Sequence, residues 1–174
     1  MIIVSDTTPL RYLIEIEAAH ILEKLFGHVI IPQTVFSELQ GEKTPPKVTR
    51  WIQSRPNWLE VRQANVSLFT PKRKIEDGER EAIALALELK ADALLIDDKN
   101  ARREAKDAGL SIVPTLTLLE QAAEQGLIDL PETIDRLRKT SFRATRRLFD
   151  EMLERDRQRK EESNERETPT QEPG

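Results

Sequence analysis

Residues 91–104 read ADALLIDDKNARRE, so four apolar residues, Ala93 to Ile96, run straight into Asp97 and Asp98. A buried strand accounts for the apolar run. It does not account for two adjacent carboxylates, whose charges repel unless a proton, a cation or hydrogen bonds settle them. Three further acids stand in comparable places. Asp6 follows the apolar opening MIIV, Glu38 lies between Phe36 and Leu39, and Glu79 sits next to Gly78 at the start of the apolar-periodic stretch EREAIALALELK. Carboxylates gathered at one point raise one another's pKa, and a hard divalent cation removes that cost. Mg²⁺ takes oxygen ligands, retains several waters and works with substrate phosphates. The chemistry this predicts is attack of a metal-activated water on a phosphodiester. The chain has no cysteine, and His20 and His28 have no second ligand at a useful spacing.

Each acid also has an ordinary structural reading. Asp6 stands where a helix N-cap is expected, and Glu79 where the helix dipole favours a carboxylate. One of Asp97 and Asp98 is expected to cap the helix beginning near Asn100 while the other faces a crevice. Glu76, Asp77 and Glu81 read as solvated helix-start residues. Glu38, set among core residues, is the acid that most needs a partner.

The elements that must position these acids alternate in period. MIIV is a short strand, and Thr8-Pro9 starts a helix as an N-cap hydroxyl followed by proline. Its apolar positions continue through Leu25 to a stop at Gly27. Strand VII (29–31) leads into a helix at Pro32, a short helix carries Val48, Trp51 and Ile52, and WLEV (58–61) reads as an edge strand. Residues 62–77 are polar without a period. A helix from Gly78, strand ALLI, a helix closed by Gly109, strand SIV and a helix closed by Gly126 follow. Strands alternating with helices of about ten residues predict a parallel sheet in an α/β sandwich, with ligands at the carboxyl ends of its strands. Two helices, about 131–139 and 144–157, end the ordered chain and are expected to pack on the α/β body.

The chain has 174 residues, 38% of them hydrophobic, and a net charge of −4. This predicts one domain over 1–157, with a core of useful size. No stretch resembles a signal peptide and no apolar run is long enough to span a bilayer, so a cytoplasmic location is expected. Charge is unevenly spread, since Arg136 to Lys160 is net +6. Arg143, Arg146 and Arg147, beside Phe142, are candidates for RNA phosphates. They serve equally as a solvated face paired with Asp150, Glu151 and Glu154, or as a dock for an acidic partner. From Glu161 onward no residue is apolar, so about 158–174 is expected to be a disordered tail. A P-loop or dinucleotide site is excluded for want of a glycine-rich loop. VSDTT lacks the second Asp of a receiver-type or phosphatase-like site.

The pieces IVSDTTPLRYL, VIIPQTVFSEL, DGEREAIALALEL, ALLIDDKNARREAKDAGL and GLI (126–128), in this order, resemble PIN domains, and the small VapC-like branch in particular. The resemblance implies a three-layer α/β/α sandwich around a parallel sheet, followed by the C-terminal helices. It also implies an Mg²⁺- or Mn²⁺-dependent endoribonuclease preferring single strands. Asp6 matches the first acid of the family, Glu38 the second, Glu79 the third and Asp97 or Asp98 the fourth. Thr7 or Thr8 matches the adjacent hydroxyl. Pro114 and Thr117 stand where glycines are expected, a departure beside the substrate loop. Many members resemble toxins restrained by a cognate antitoxin, and many form homodimers. The stripes Leu10, Leu13, Ile14 and Leu148, Met152, Leu153 suit either a dimer contact or packing on the chain's own body. The alternative function is a catalytically silent PIN-like module that binds RNA or a partner.

Overall fold

A computed structural model describes residues 1–168. The chain divides into two compact units, Met1–Leu118 and the residues from Leu119 onward. The first holds the sheet. Its elements are β1 (Ile3–Ser5), α1 (Thr7–Glu15), α2 (His20–Phe26), β2 (Val29–Pro32), α3 (Gln33–Glu38), α4 (Pro46–Gln53) and β3 (Leu59–Arg62). A short 3-10 turn at Val66–Leu68 precedes α5 (Asp77–Glu88), β4 (Ala93–Leu95), α6 (Lys99–Asp107) and β5 (Ile112–Val113).

All five strands are parallel, in the order β3-β2-β1-β4-β5. The order reverses at β1, which pairs with β2 on one side and with β4 on the other, Ser5 opposite Leu95. Right-handed crossovers then put the connections before and after the reversal on opposite faces. The parallel sheet is the one the alternating periods predict, and the α/β/α sandwich is the one the resemblance implies. Between the carboxyl ends of β1 and β4 the reversal opens the crevice where open sheets bind ligands.

Helix α5 anchors the core. Ala82, Ile83, Ala84, Leu85 and Ala86 are all buried, so this helix is enclosed on every side rather than along one stripe. The alanines allow close approach to Val4, Ile30, Leu94 and Ile96 of the sheet region. A helix driven this deep carries its first turn, with Gly78 and Glu79, into the strand ends.

Two expectations are corrected. The helix expected to run unbroken from Thr8 to Leu25 is two, because the chain turns after Glu15 through Glu17, at a φ of 59°, and buries Ile16, Ala18 and Ala19. Leu10, Leu13 and Ile14 are 0%, 0% and 2% exposed within this chain, so that stripe takes the second of its two expected roles, packing on the chain's own body.

The second correction lies in the second unit. It contains α8 (Leu130–Arg138) and α9 (Arg146–Glu167), while α7 (Thr115–Glu124) spans the division. Helix α9 runs on to Glu167 through the stretch 158–167 that composition marks as unstructured. Ion pairs run along this part of the helix: Arg157 reaches Glu154 and Glu161, both at 2.5 Å, and Lys160 reaches the buried Asp156 at 2.9 Å. The end of the expected tail, 169–174, lies outside the described residues. Among the described residues no helix is long and apolar enough to cross a membrane.

Candidate functional site

Asp6, Thr7, Thr8, Arg11, Tyr12, Glu38, Glu76 and Glu79 line one pocket of about 240 Å³ at the carboxyl ends of the strands. Asp6 is the first residue after β1, held in register by its N–H donating to Leu95 O at 2.9 Å. It stands at the N-cap position of α1 but makes no side-chain capping bond, which leaves its carboxylate to the pocket. Glu38 is the last residue of α3 and accepts a hydrogen bond from Thr7 Oγ1 at 2.5 Å. Thr7, rather than Thr8, is therefore the hydroxyl that meets an acid, and Thr8 contributes to the wall.

Glu38 presses against the first turn of α5. A Cβ built on Gly78 would stand 2.6 Å from Glu38 Oε1 and 2.7 Å from Oε2. Glycine at 78 makes room for that carboxylate. Glu79 completes a capping box, its Oε2 accepting from Glu76 N at 2.9 Å while Glu76 caps the helix start. The ordinary reading of Glu79 and the pocket reading are both realised, and Glu76, exposed at the helix start as expected, also lines the pocket.

The aspartate pair divides its labour. Asp98 is the N-cap of α6, accepting from Ala101 N at 3.0 Å. Asp97 accepts from Thr115 N at 2.8 Å and from Thr115 Oγ1 at 2.5 Å.

Electrostatics ties the acids together. Asp6 is 3% exposed. Burial pushes its pKa up to about 8, the N–H of Thr7 opposes the rise, and the charges of Glu79, Glu38 and Asp97 add to it. Glu79 is raised to about 7, by desolvation first and then by the charges of Asp98, Glu76 and Glu38, against the bond from Glu76. Asp97 is also raised by burial, although the two bonds from Thr115 and the charge of Arg102 oppose this. Asp6 thus feels three other acids from distant parts of the chain. Among the described residues, however, no three acidic or histidine side chains already stand in a metal-binding arrangement. Glu38, Glu79 and Asp97 each spend oxygens on protein donors instead. As hard oxygen donors that repel one another in a desolvated pocket, these residues suit a divalent cation in kind.

Arg11, Tyr12, Glu76 and Thr115 were not legible as site residues. For the first two a signal existed: a helix beginning at Thr7 puts residues 7, 8, 11 and 12 on one side. Thr115 needed a contact 18 residues away, which no local pattern encodes. In the second unit, Arg146 lies 3.8 Å from Asp150 and Arg147 3.0 Å from Glu151. Arg138 covers the Phe149 ring at 5.0 Å. Arg143 is exposed.

The description of the family DUF3368, a PIN domain, matches residues 2–158. Among solved structures, the chain is similar to a PilT N-terminus domain protein from the hyperthermophilic archaeon Sulfolobus solfataricus P2. The match has 24% identity and a TM-score of 0.51, and covers 70% of this chain and 93% of that one. This likeness bears on the fold alone. No curated protein matches the chain.

Proposed function

The chain belongs to the PIN-domain family, whose description spans residues 2–158, and from that premise we propose that it is an Mg²⁺- or Mn²⁺-dependent endoribonuclease. PIN domains are nucleases in general and use divalent metal ions. The observation that carries the reading is the pocket at the β1/β4 switch point, where Asp6, Glu38 and Glu79 gather and Asp97 acts on Asp6 through its charge.

Asp6, Glu38, Glu79 and one of Asp97 and Asp98 would hold the cation. Bound there, it would supply an activated water and offset charge growing on the scissile phosphate. The residues themselves do the preparation. Thr7 orients Glu38, Thr115 orients Asp97, and Glu76 N fixes Glu79. Asp6, protonated up to about pH 8 in the bare pocket, must release that proton before it can serve as a ligand. The nuclease is therefore expected to lose activity as pH falls below neutrality.

The finer reading is the toxin component of a toxin–antitoxin pair, and it rests on the resemblance of the motifs. Wild-type protein with Mn²⁺ is expected to cut unstructured RNA, and Asp6→Asn to lower the rate at least a hundredfold. Expression of the wild type, but not of Asp6→Ala, is expected to arrest growth. A specific observation favours a second reading, that of a silent RNA- or partner-binding module: Glu38, Glu79 and Asp97 are already engaged by hydroxyl and amide donors. Intact RNA across a panel of structured and unstructured substrates, with no heat released on titrating Mn²⁺, would decide for that module.

A further inference from the structure

The polar stretch between β3 and α5 is fastened to α6 by a carboxylate that the pocket does not use. Glu104 is 3% exposed. Its Oε1 accepts from Lys72 N at 3.0 Å and from Arg73 N at 2.6 Å. The Arg73 guanidinium reaches the same oxygen at 3.4 Å and Asp107 at 2.8 Å. Asn100 Nδ2 donates to Lys74 O at 3.3 Å, a second fastening nearer the helix start. Burying a carboxylate is costly unless it is fully bonded, and this one is committed to the backbone of a basic loop.

The loop is basic by composition and by exposure. Arg73 is turned onto Glu104 and Asp107, whereas Lys72 and Lys74 on either side of it are exposed. Along α6, Lys99, Arg103 and Lys106 are exposed as well. Residues 71–74 and 99–107 together hold seven Lys or Arg and two acids, Glu104 and Asp107, both engaged by Arg73.

The positions of these cations give them their meaning. Lys99 directly follows Asp98, the N-cap of α6 whose charge reaches Glu79. Two residues after Lys74 comes Glu76, which lines the pocket. The basic surface therefore adjoins the acidic pocket along the chain on two elements of the same unit. A pocket of carboxylates repels a polyanion, and cations alongside it offset that repulsion for the phosphates on either side of the one being cut. The arginines at 146 and 147 are exposed too, but they belong to the other unit, and each lies near an acid one helical turn away.

We infer that Lys72 and Lys74, with the exposed cations of α6, hold the phosphates flanking the scissile one in single-stranded RNA. Glu104 is the positioning residue that sets the loop. The inference deepens the nuclease reading and rests on it. Its test uses the full chain carrying Asp6→Asn, so that RNA is bound and not cut, with a labelled unstructured RNA titrated over a range of KCl. Lys72→Ala/Lys74→Ala is expected to lower the slope of log affinity against log salt by about 1.4, two contacts at about 0.7 each. Its affinity should fall about tenfold at moderate salt. Glu104→Ala should weaken binding with both lysines present. Glu104→Gln should restore it, because an amide carbonyl can accept from the same two N–H groups.

An unchanged slope in the double-lysine variant overturns the inference, as does a loss confined to Arg143→Ala/Arg146→Ala/Arg147→Ala. The exposed lysines keep the test decisive should Glu104→Ala fail to fold. Equal effects of Ala and Gln at 104 would overturn the positioning role. If the Asp6→Asn parent binds no RNA but binds an acidic peptide through the lysines, the RNA reading itself falls and the surface belongs to a protein partner.

Discussion

A carboxylic acid that holds its proton to about pH 8, as Asp6 does, links folding to pH with an unusual sign. The ordinary value is 3.8, so between these limits the folded chain binds the proton more tightly than the unfolded chain. Stability from this group is complete below about pH 4 and is lost as pH rises through 8. At 1.36 kcal/mol per pKa unit, the full loss is on the order of 5 kcal/mol. In chelator, the melting temperature should fall as pH is raised from 5 to 9. Asp6→Asn should flatten that fall and melt higher than wild type at pH 9. Mn²⁺ should raise the wild-type value at pH 9 and leave the variant's nearly unmoved. Parallel pH profiles for the two proteins would mean that Asp6 is solvated in the folded chain.

At the scale of elements, the first turn of α5 separates stability from activity. In Gly78→Ala the new Cβ meets the far end of a flexible side chain, the Glu38 carboxylate, and not backbone. Glu38 can swing away, while the helix gains roughly 0.5–1 kcal/mol by losing a glycine. The variant is expected to melt within a few degrees of wild type and to lose most of its Mn²⁺ affinity by calorimetry. A variant that unfolds, or one that binds the metal normally, would show that Glu38 has no freedom to move or no part in the site.

How much of this was legible in the sequence depended on distance along the chain. Strand and helix order came through because Pro9, Pro32, Gly27, Gly109 and Gly126 punctuate it locally. Asp6, Glu38, Glu79 and the 97–98 pair were legible as acids at element ends, and the expected cap in the pair is Asp98, while Asp97 is bonded to Thr115 and acts on Asp6 through its charge. The break after Glu15 was not, because apolar spacing continues across it while the chain turns. Gly78, Thr115 and Glu104 escaped for one reason. Each matters through a partner 18 to 40 residues away, at Glu38, Asp97 or Lys72.

Over the whole molecule, stability is unevenly spread. Helix α5 is enclosed on all sides, whereas α9 beyond Lys160 has no buried residue. Exposed pairs one turn apart contribute roughly 0.2–0.5 kcal/mol each. Native-state hydrogen exchange should find amides 161–167 within about tenfold of unprotected rates, and those of 82–86 opening only with global unfolding. Protection at 161–167 equal to that of α5 would show that a partner or another surface covers this end of the helix.

The place of β1 in the sheet has a consequence for biosynthesis. It leaves the ribosome well before its second neighbour, β4, which begins 90 residues later at Ala93. Until then Asp6 lacks the strand that fixes it, and Asp97 does not yet exist in the chain. Parallel pairing over so long a separation is also slow to form. On the nuclease reading, the nascent chain is inert through the early part of its synthesis, while RNA lies close by. Its pocket can be completed only after β4 and Asp97 have emerged.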